Sequence, residues 1–179
     1  MSDALVIRDI QESEFAALGR LLVEVYAGLE GFPSPQEQPR YYEMLANIGA
    51  FTYKPQARVL VARQGDGPLL GGVVYFGDMA HYGSGGSATS IKHASGIRLL
   101  GVSPDARGQG VGKALTQACI ALAREQGHMR VVLHTTQAMR QAWDMYERMG
   151  FVRDTSLDFM QGSLPVFGFS LSLGDDARH

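Results

Sequence analysis

Cysteine is almost missing from this sequence. Cys119 stands alone among 179 residues, so no disulfide framework can form within the chain. No stretch approaches the roughly 18 consecutive apolar residues of a membrane span. The start, MSDALVIRD, lacks a basic region followed by an apolar run, so no secretory signal is expected. Charge of one sign is scarce too: 16 Lys and Arg face 18 Asp and Glu, a net charge of −2. Nucleic-acid binding favours a strongly basic face, and nothing here predicts one. His128 and His134 have no cysteine partners and no metal-ligand spacing, which argues against a metal site. What remains is 45% hydrophobic and 19% charged, an ordinary soluble composition. The expectation is a cytoplasmic protein with no nucleic acid, membrane or metal among its partners.

Strand and helix signals alternate along the chain. LVIRDI (5–10) carries the β-branched residues of a short strand. Ser13 offers an N-cap, and Phe15, Leu18, Leu22, Val25 and Tyr26 recur at helical spacing. Gly31, Pro33 and Pro35 stop that helix. PRYYEMLANI predicts a second helix with Pro39 in its first turn. RVLVARQ (58–64) and LLGGVVYFGD (69–78) read as two strands of a hairpin. AHYGSGGSATSIKHAS is a Gly/Ser-rich loop, too short for a domain linker. GIRLLGVSP (96–104) is a strand that ends at Pro104. The next helix puts Val111, Leu115, Ala118, Cys119 and Leu122 on one face, with Gly127 as its C-cap. Cys119 therefore reads as a core thiol. RVVLHTT (130–136) is a strand, QAMRQAWDMYERM a helix closed by Gly150, and FVRDTS and LPVFGFSLSL suit a last pair of strands. The order β-α-α-β-β-β-α-β-α-β-β predicts one mixed α/β domain over 1–173 and a polar tail at 174–179.

The densest signal is SPDARGQGVGKAL. Three glycines, Gly108, Gly110 and Gly112, stand against a helix start. Glycine destabilises a helix, so bare backbone must be needed there. The first N–H groups of a helix lack partners and carry partial positive charge, which makes an anion site. A phosphate or pyrophosphate cradle over Gly108 to Lys113 is the leading reading; close packing alone is the competing one. An ATP-type loop fails at both ends, with Ala114 after Lys113 and Arg107 where its first glycine belongs. A dinucleotide loop fails at Lys113 and lacks an acidic residue near position 130. The remaining pattern is R-x-x-G-x-G on Arg107, Gly110 and Gly112.

VSPDARGQGVGKAL resembles the coenzyme A pyrophosphate loop of the GNAT superfamily of N-acetyltransferases. AWDMYERMGF (142–151) resembles that family's helix carrying a tyrosine before a Gly-Phe turn, and the element order matches the family's fold. The resemblance implies a mixed, mostly antiparallel sheet flanked by helices, with a splayed central strand pair. It implies acetyl-CoA as acetyl donor, held by Arg107, Gly108, Gln109, Gly110, Val111, Gly112 and Lys113. It also implies that backbone groups of Leu100, Gly101 and Val102 grip the pantetheine arm. Lys113 reads equally as a solvated or structural lysine. Gly101 suits a bulge or a close approach, and equally a packing position.

By the same resemblance, the reaction is attack of an amine on the acetyl thioester. The amine must be neutral, the carbonyl oxygen needs a donor, and the departing thiolate needs a proton. Tyr146 matches the family's general acid, and a phenol with a pKa of about 10 is protonated at neutral pH. Periodicity alone reads Tyr146 as a core aromatic beside Ala138, Ala142, Met145 and Met149. Family members often carry a glutamate base near the strand RLLGV, and none stands here. His93 is the nearest titratable residue, though a solvated loop histidine is the competing reading. Deprotonation relayed through water stands beside it. Many members carry an asparagine at the position that Met139 holds, so one polar contact to the cofactor arm is in question.

The segment VYAGLEGFPSPQEQPRYYEML supplies aromatic Tyr26, Phe32, Tyr41 and Tyr42 and acidic Glu30, Glu37 and Glu43. These suit a cationic acceptor with an apolar portion. A small-molecule amine is the leading acceptor. A protein N-terminus or lysine is the alternative, and a non-catalytic acyl-CoA-binding regulatory module is the reading from another class. The family commonly forms homodimers, and no residue here marks such an interface.

Overall fold

Apolar alternation and helical spacing become elements close to where the sequence places them. The computed structural model describes residues 4–174. Its strands are β1 (Leu5–Asp9), β2 (Ala57–Gln64), β3 (Gly71–Phe76), β4 (Ala94–Val102), β5 (Arg130–Thr135), β6 (Val152–Arg153), β7 (Phe159–Gln161) and β8 (Leu164–Ser172). Its helices are α1 (Phe15–Ala27), α2 (Pro39–Ala46), α3 (Val111–Glu125) and α4 (Arg140–Arg148). The sheet runs in the order β1-β2-β3-β4-β5-β8-β6, with β7 also on β8, and does not close. β4 and β5 are parallel, whereas β1–β2, β5–β8, β6–β8 and β7–β8 are antiparallel. The expected mixed, mostly antiparallel sheet with helices is the observed architecture. The tail expected from 174 lies, from residue 175 on, outside the described residues.

The chain divides into two compact units. The first takes in the chain up to Lys54, Arg58–Val74 and Leu99–Ala118. Leu18 and Leu22 of α1, Leu45 of α2, Val61 and Ala62 of β2, and Leu115 of α3 form its solvent-free core. Gly19 lets α1 lie against the Ala46 backbone, where a methyl group would overlap the carbonyl. Ser13 does not cap α1. It sits inside a 3-10 turn, Glu12–Glu14, and α1 begins after it. Glu14 takes over the local bonding, because its carboxylate accepts the Gln11 N–H at 2.9 Å. The same carboxylate receives Arg8 at 2.8 Å and Arg63 at 2.9 Å. Arg8 holds the Glu14 carboxyl down to about 2, with Gln11 and Arg63 adding to the effect against the cost of burial.

The second unit takes in Pro55–Ala57, Tyr75–Arg98 and the chain from Cys119 on. Tyr75, Phe76, Tyr82, Ile97, Leu133 and Phe169 are buried in it. Trp143 of α4 packs edge-on against Phe169 of β8, with ring centres 4.9 Å apart. Three differences from the sequence reading lie in this unit. β4 starts at Ala94, two residues before the expected Gly96. FVRDTS pairs only at Val152 and Arg153, because Asp154 then caps a 3-10 turn by accepting the Ser156 N–H. β7 is an additional strand, folded onto β8 through Gly162, whose φ of 62° suits a tight hairpin turn. Pro165, which cannot donate a ladder bond, masks that hairpin in the sequence.

Candidate functional site

The first unit holds the end of β4 and the glycine loop. Parallel pairing of β4 with β5 runs from Ala94 to Ile97 and stops, although β4 continues to Val102. Leu99 then takes a φ of 61°, a left-handed conformation uncommon outside glycine. That turn re-aims the backbone of the residues after it. Leu99 and Gly101 are buried, while Leu100 and Val102 are half-buried. The Leu100 carbonyl accepts the Tyr26 hydroxyl at 2.8 Å. Gly101 is a packing position, since a methyl there would overlap the Leu22 side chain of α1. Of the alternatives the sequence left for Gly101, the structure shows close packing against α1.

After β4, Pro104–Ala106 forms a 3-10 turn and Arg107 runs extended. Gly108 and Gly110 have φ values of 81° and 80°, and nothing lies within 4 Å of the methyl that either would carry as alanine. Packing therefore does not explain these two glycines. The Ala114 N–H reaches the Gly110 carbonyl at 3.0 Å, closing the first turn of α3. Helix geometry leaves the N–H groups of Val111, Gly112 and Lys113 without intrahelical acceptors. Val111 is 2% exposed and anchors the turn, while Arg107, Gln109 and Lys113 are exposed. Among the described residues, neither Arg107 nor Lys113 is held in an ion pair. The loop offers unpaired N–H groups, open space and two free cations, which fits a phosphate-bearing ligand.

Tyr146 belongs to the second unit. It is 5% exposed and packs edge-on against Phe151 at 5.7 Å between ring centres. The phenol makes no hydrogen bond among the described residues. Burial pushes its pKa up, with Cys119 and Tyr82 contributing. It is therefore a protonated donor throughout the neutral range. Met139, at the position where an asparagine was expected, accepts the Thr135 hydroxyl on its sulfur at 3.5 Å. His93 is exposed just before β4, with a φ of 58° and its carbonyl accepting the Met129 N–H. Cys119 is fully buried.

His134 is a half-buried polar group that sequence reasoning weighed only as a metal ligand. Its Nε2 lies 2.8 Å from the Leu157 carbonyl, which can only accept, so that nitrogen carries the proton. Nδ1 then accepts the Tyr82 hydroxyl at 2.9 Å. Burial lowers the His134 pKa. No group of three or more His, Cys, Asp and Glu among the described residues could hold a metal ion. No described helix is long and apolar enough to cross a membrane.

The pattern of the acetyltransferase (GNAT) family matches residues 21–151. The chain belongs to the GNAT acetyltransferase family. Among curated GNAT-related proteins, it is similar to a mycothiol acetyltransferase of Cellulomonas flavigena. The two are 37% identical over 117 residues, covering 64% of this chain and 31% of that protein. The chain thus spans about a third of the length of that relative. The fold is shared with a GNAT acetyltransferase from Staphylococcus aureus Mu50, with a TM-score of 0.72, 17% identity, and coverage of 95% and 99% of the two chains. It is also shared with the PaiA N-acetyltransferase of Thermoplasma acidophilum, solved in complex with coenzyme A, with a TM-score of 0.70, 17% identity, and coverage of 94% and 99%.

Proposed function

We propose that this GNAT chain is an acetyl-CoA-dependent N-acetyltransferase acting on a primary amine of a small molecule. One observation carries the donor assignment: Gly108 and Gly110 are left-handed and face open space at the bare start of α3. The N–H groups from Gly108 to Lys113 hold the pyrophosphate, with Arg107 and Lys113 adding charge. Backbone groups of Leu100, Gly101 and Val102 run along the pantetheine arm. Acetyl-CoA supplies the acetyl thioester that the amine attacks directly.

Tyr146 is the general acid in this reading. Its raised pKa keeps the phenol protonated at neutral pH, so that it can donate a hydrogen bond to the departing thiolate. The phenol's lack of a partner among the described residues supports that role. The amine loses its proton to water or to exposed His93. The mycothiol acetyltransferase relative supports a small-molecule acceptor. Residues 1–173 form the catalytic domain in this proposal, acting in the cytoplasm, and a homodimer is its proposed assembly.

The test is release of coenzyme A from acetyl-CoA across a panel of small amines and peptides, with Tyr146→Phe as control. Turnover with small amines supports the proposal. Turnover with peptides alone transfers it to a protein acceptor. Tight coenzyme A binding with no turnover on any amine makes the chain a non-catalytic acyl-CoA-binding module.

A further inference from the structure

Arg8, Arg58, Arg63, Arg130 and Arg153 are half-buried, and each pairs with an aspartate or a glutamate. Arg98 is half-buried too, yet no carboxylate pairs with it among the described residues. A guanidinium partly withdrawn from water loses hydration that an anion restores. Its one hydrogen bond among the described residues runs from Nη1 to the Tyr82 carbonyl at 3.0 Å. Nε and Nη2 are left over. Those two N–H groups form one edge of the guanidinium, and such an edge fits the two oxygens of a carboxylate.

The neighbours of Arg98 all lie in the second unit. Arg98 is the first residue of β4 beyond its last pair with β5, Ile97 with Leu133. The guanidinium lies over the Tyr82 ring, 5.9 Å from its centre. Gly83, exposed and with a φ of 74°, follows Tyr82, and a methyl there would stand 3.3 Å from Nη1. A side chain at this position would crowd the guanidinium that glycine leaves accessible. Arg98 and Asp158 are the two charged groups that act on His134. Asp158 is committed, because it accepts Arg153 at 3.0 and 2.8 Å and the Gly168 N–H at 2.7 Å. Arg98 has no such compensation. Tyr82, on which Arg98 lies, also acts on Tyr146 and helps to raise its pKa. One phenol therefore links the open guanidinium to the neighbourhood of the proposed general acid.

We propose that Arg98 binds a carboxylate of the acetyl acceptor, so that the substrate is an amine that also carries a carboxylate, such as an amino acid. The inference rests on the small-amine reading above. One guanidinium matches the single charge of a carboxylate, whereas a phosphate dianion calls for a second cation, and Arg153 is already held by Asp158. The Tyr82 carbonyl holds Nη1 in place, so the free edge is oriented before the acceptor arrives.

The test measures coenzyme A release from acetyl-CoA with α-, β- and γ-amino acids, each paired with its carboxamide. The carboxamide removes the charge and keeps the size. Wild type, Arg98→Gln and Arg98→Lys are compared. In the fastest pair, wild-type kcat/KM should favour the acid about ten- to hundredfold, the range for a hydrogen bond between charged groups. Arg98→Gln should bring that ratio close to one, mainly through KM. Arg98→Lys should hold an intermediate ratio, since it keeps the charge and loses the fork. Wild-type turnover with no preference for any acid overturns the proposal without need of a variant. Equal losses on acid and carboxamide in Arg98→Gln, with the ratio intact, mark a packing role on Tyr82 and also overturn it. Faster turnover of an aminoalkyl phosphate than of every amino acid overturns the carboxylate assignment. Absence of turnover on every amine removes the small-amine reading itself and this inference with it, an outcome distinct from turnover without preference.

Discussion

The Tyr26 hydroxyl of α1 donates to the Leu100 carbonyl of β4 at 2.8 Å, across 74 residues of sequence. Leu100 is the first residue after the left-handed Leu99. The bond fixes the orientation of the strand segment proposed to run along the pantetheine arm. Tyr26→Phe keeps the ring contacts with Phe32 and Tyr41 and removes this bond. The variant should lose about 1 kcal/mol of stability by chemical denaturation. It should also raise the KM for acetyl-CoA severalfold while retaining most of kcat.

Gly110→Ala separates ligand approach from packing. Nothing lies within 4 Å of the added methyl, so the folded chain meets only the left-handed backbone cost. That cost is about 1 kcal/mol. Coenzyme A affinity should fall at least about tenfold, because in the proposed function a phosphate reaches the backbone where the methyl would stand. Unaltered coenzyme A binding would remove the loop from the cofactor site.

Tyr146→Phe retains the ring that packs on Phe151. Its melting temperature should match wild type. Its kcat should fall about 10²-fold, the lower end for loss of a general acid. Rates measured with donors of differing thiol basicity should show a greater loss for the more basic leaving group.

Glu14 makes stability depend on acid. Its folded pKa, about 2, lies below the ordinary 4.5. The depressed value means that the stabilisation is complete above the ordinary value and is lost as pH falls toward about 2. Arg8 and Arg63 are partly exposed, so screening limits the effect to the order of 2 kcal/mol at neutral pH. Glu14→Gln should lower the neutral-pH stability and flatten the slope between about pH 4.5 and 2. Urea denaturation at a series of pH values reads both.

His134 acts at higher pH. Burial lowers its pKa from 6.5, so the unfolded chain takes up its proton first as pH falls. Stability from this group is complete above about 6.5 and declines below it. Glutamine can accept from Tyr82 and donate to Leu157 without titrating. His134→Gln should therefore remove the stability slope just below pH 6.5 while leaving the fold intact, as followed by denaturation midpoints.

The elements were legible in the sequence because their signals are local. Phe15, Leu18 and Leu22 announce α1 by spacing alone, and Gly127 and Gly150 take the positive φ values expected of helix ends. β7 was not legible, since three residues ending in a hairpin turn and facing Pro165 carry too little pattern. Ser13 was misread because a local cap was expected where two arginines from β1 and β2 capture Glu14 instead.

The candidate site divides in the same way. The order of the elements and the glycine loop at the start of α3 were determined by sequence, because a helix start with bare backbone is a short-range requirement. Tertiary structure alone decided which polar groups find partners. It paired His134 with Tyr82, tied Leu100 to Tyr26, placed the left-handed residue at Leu99, and left Thr136 Oγ1 without a partner among the described residues. Those outcomes depend on side chains brought together from distant parts of the chain, and burial sets their cost only once the fold has closed around them.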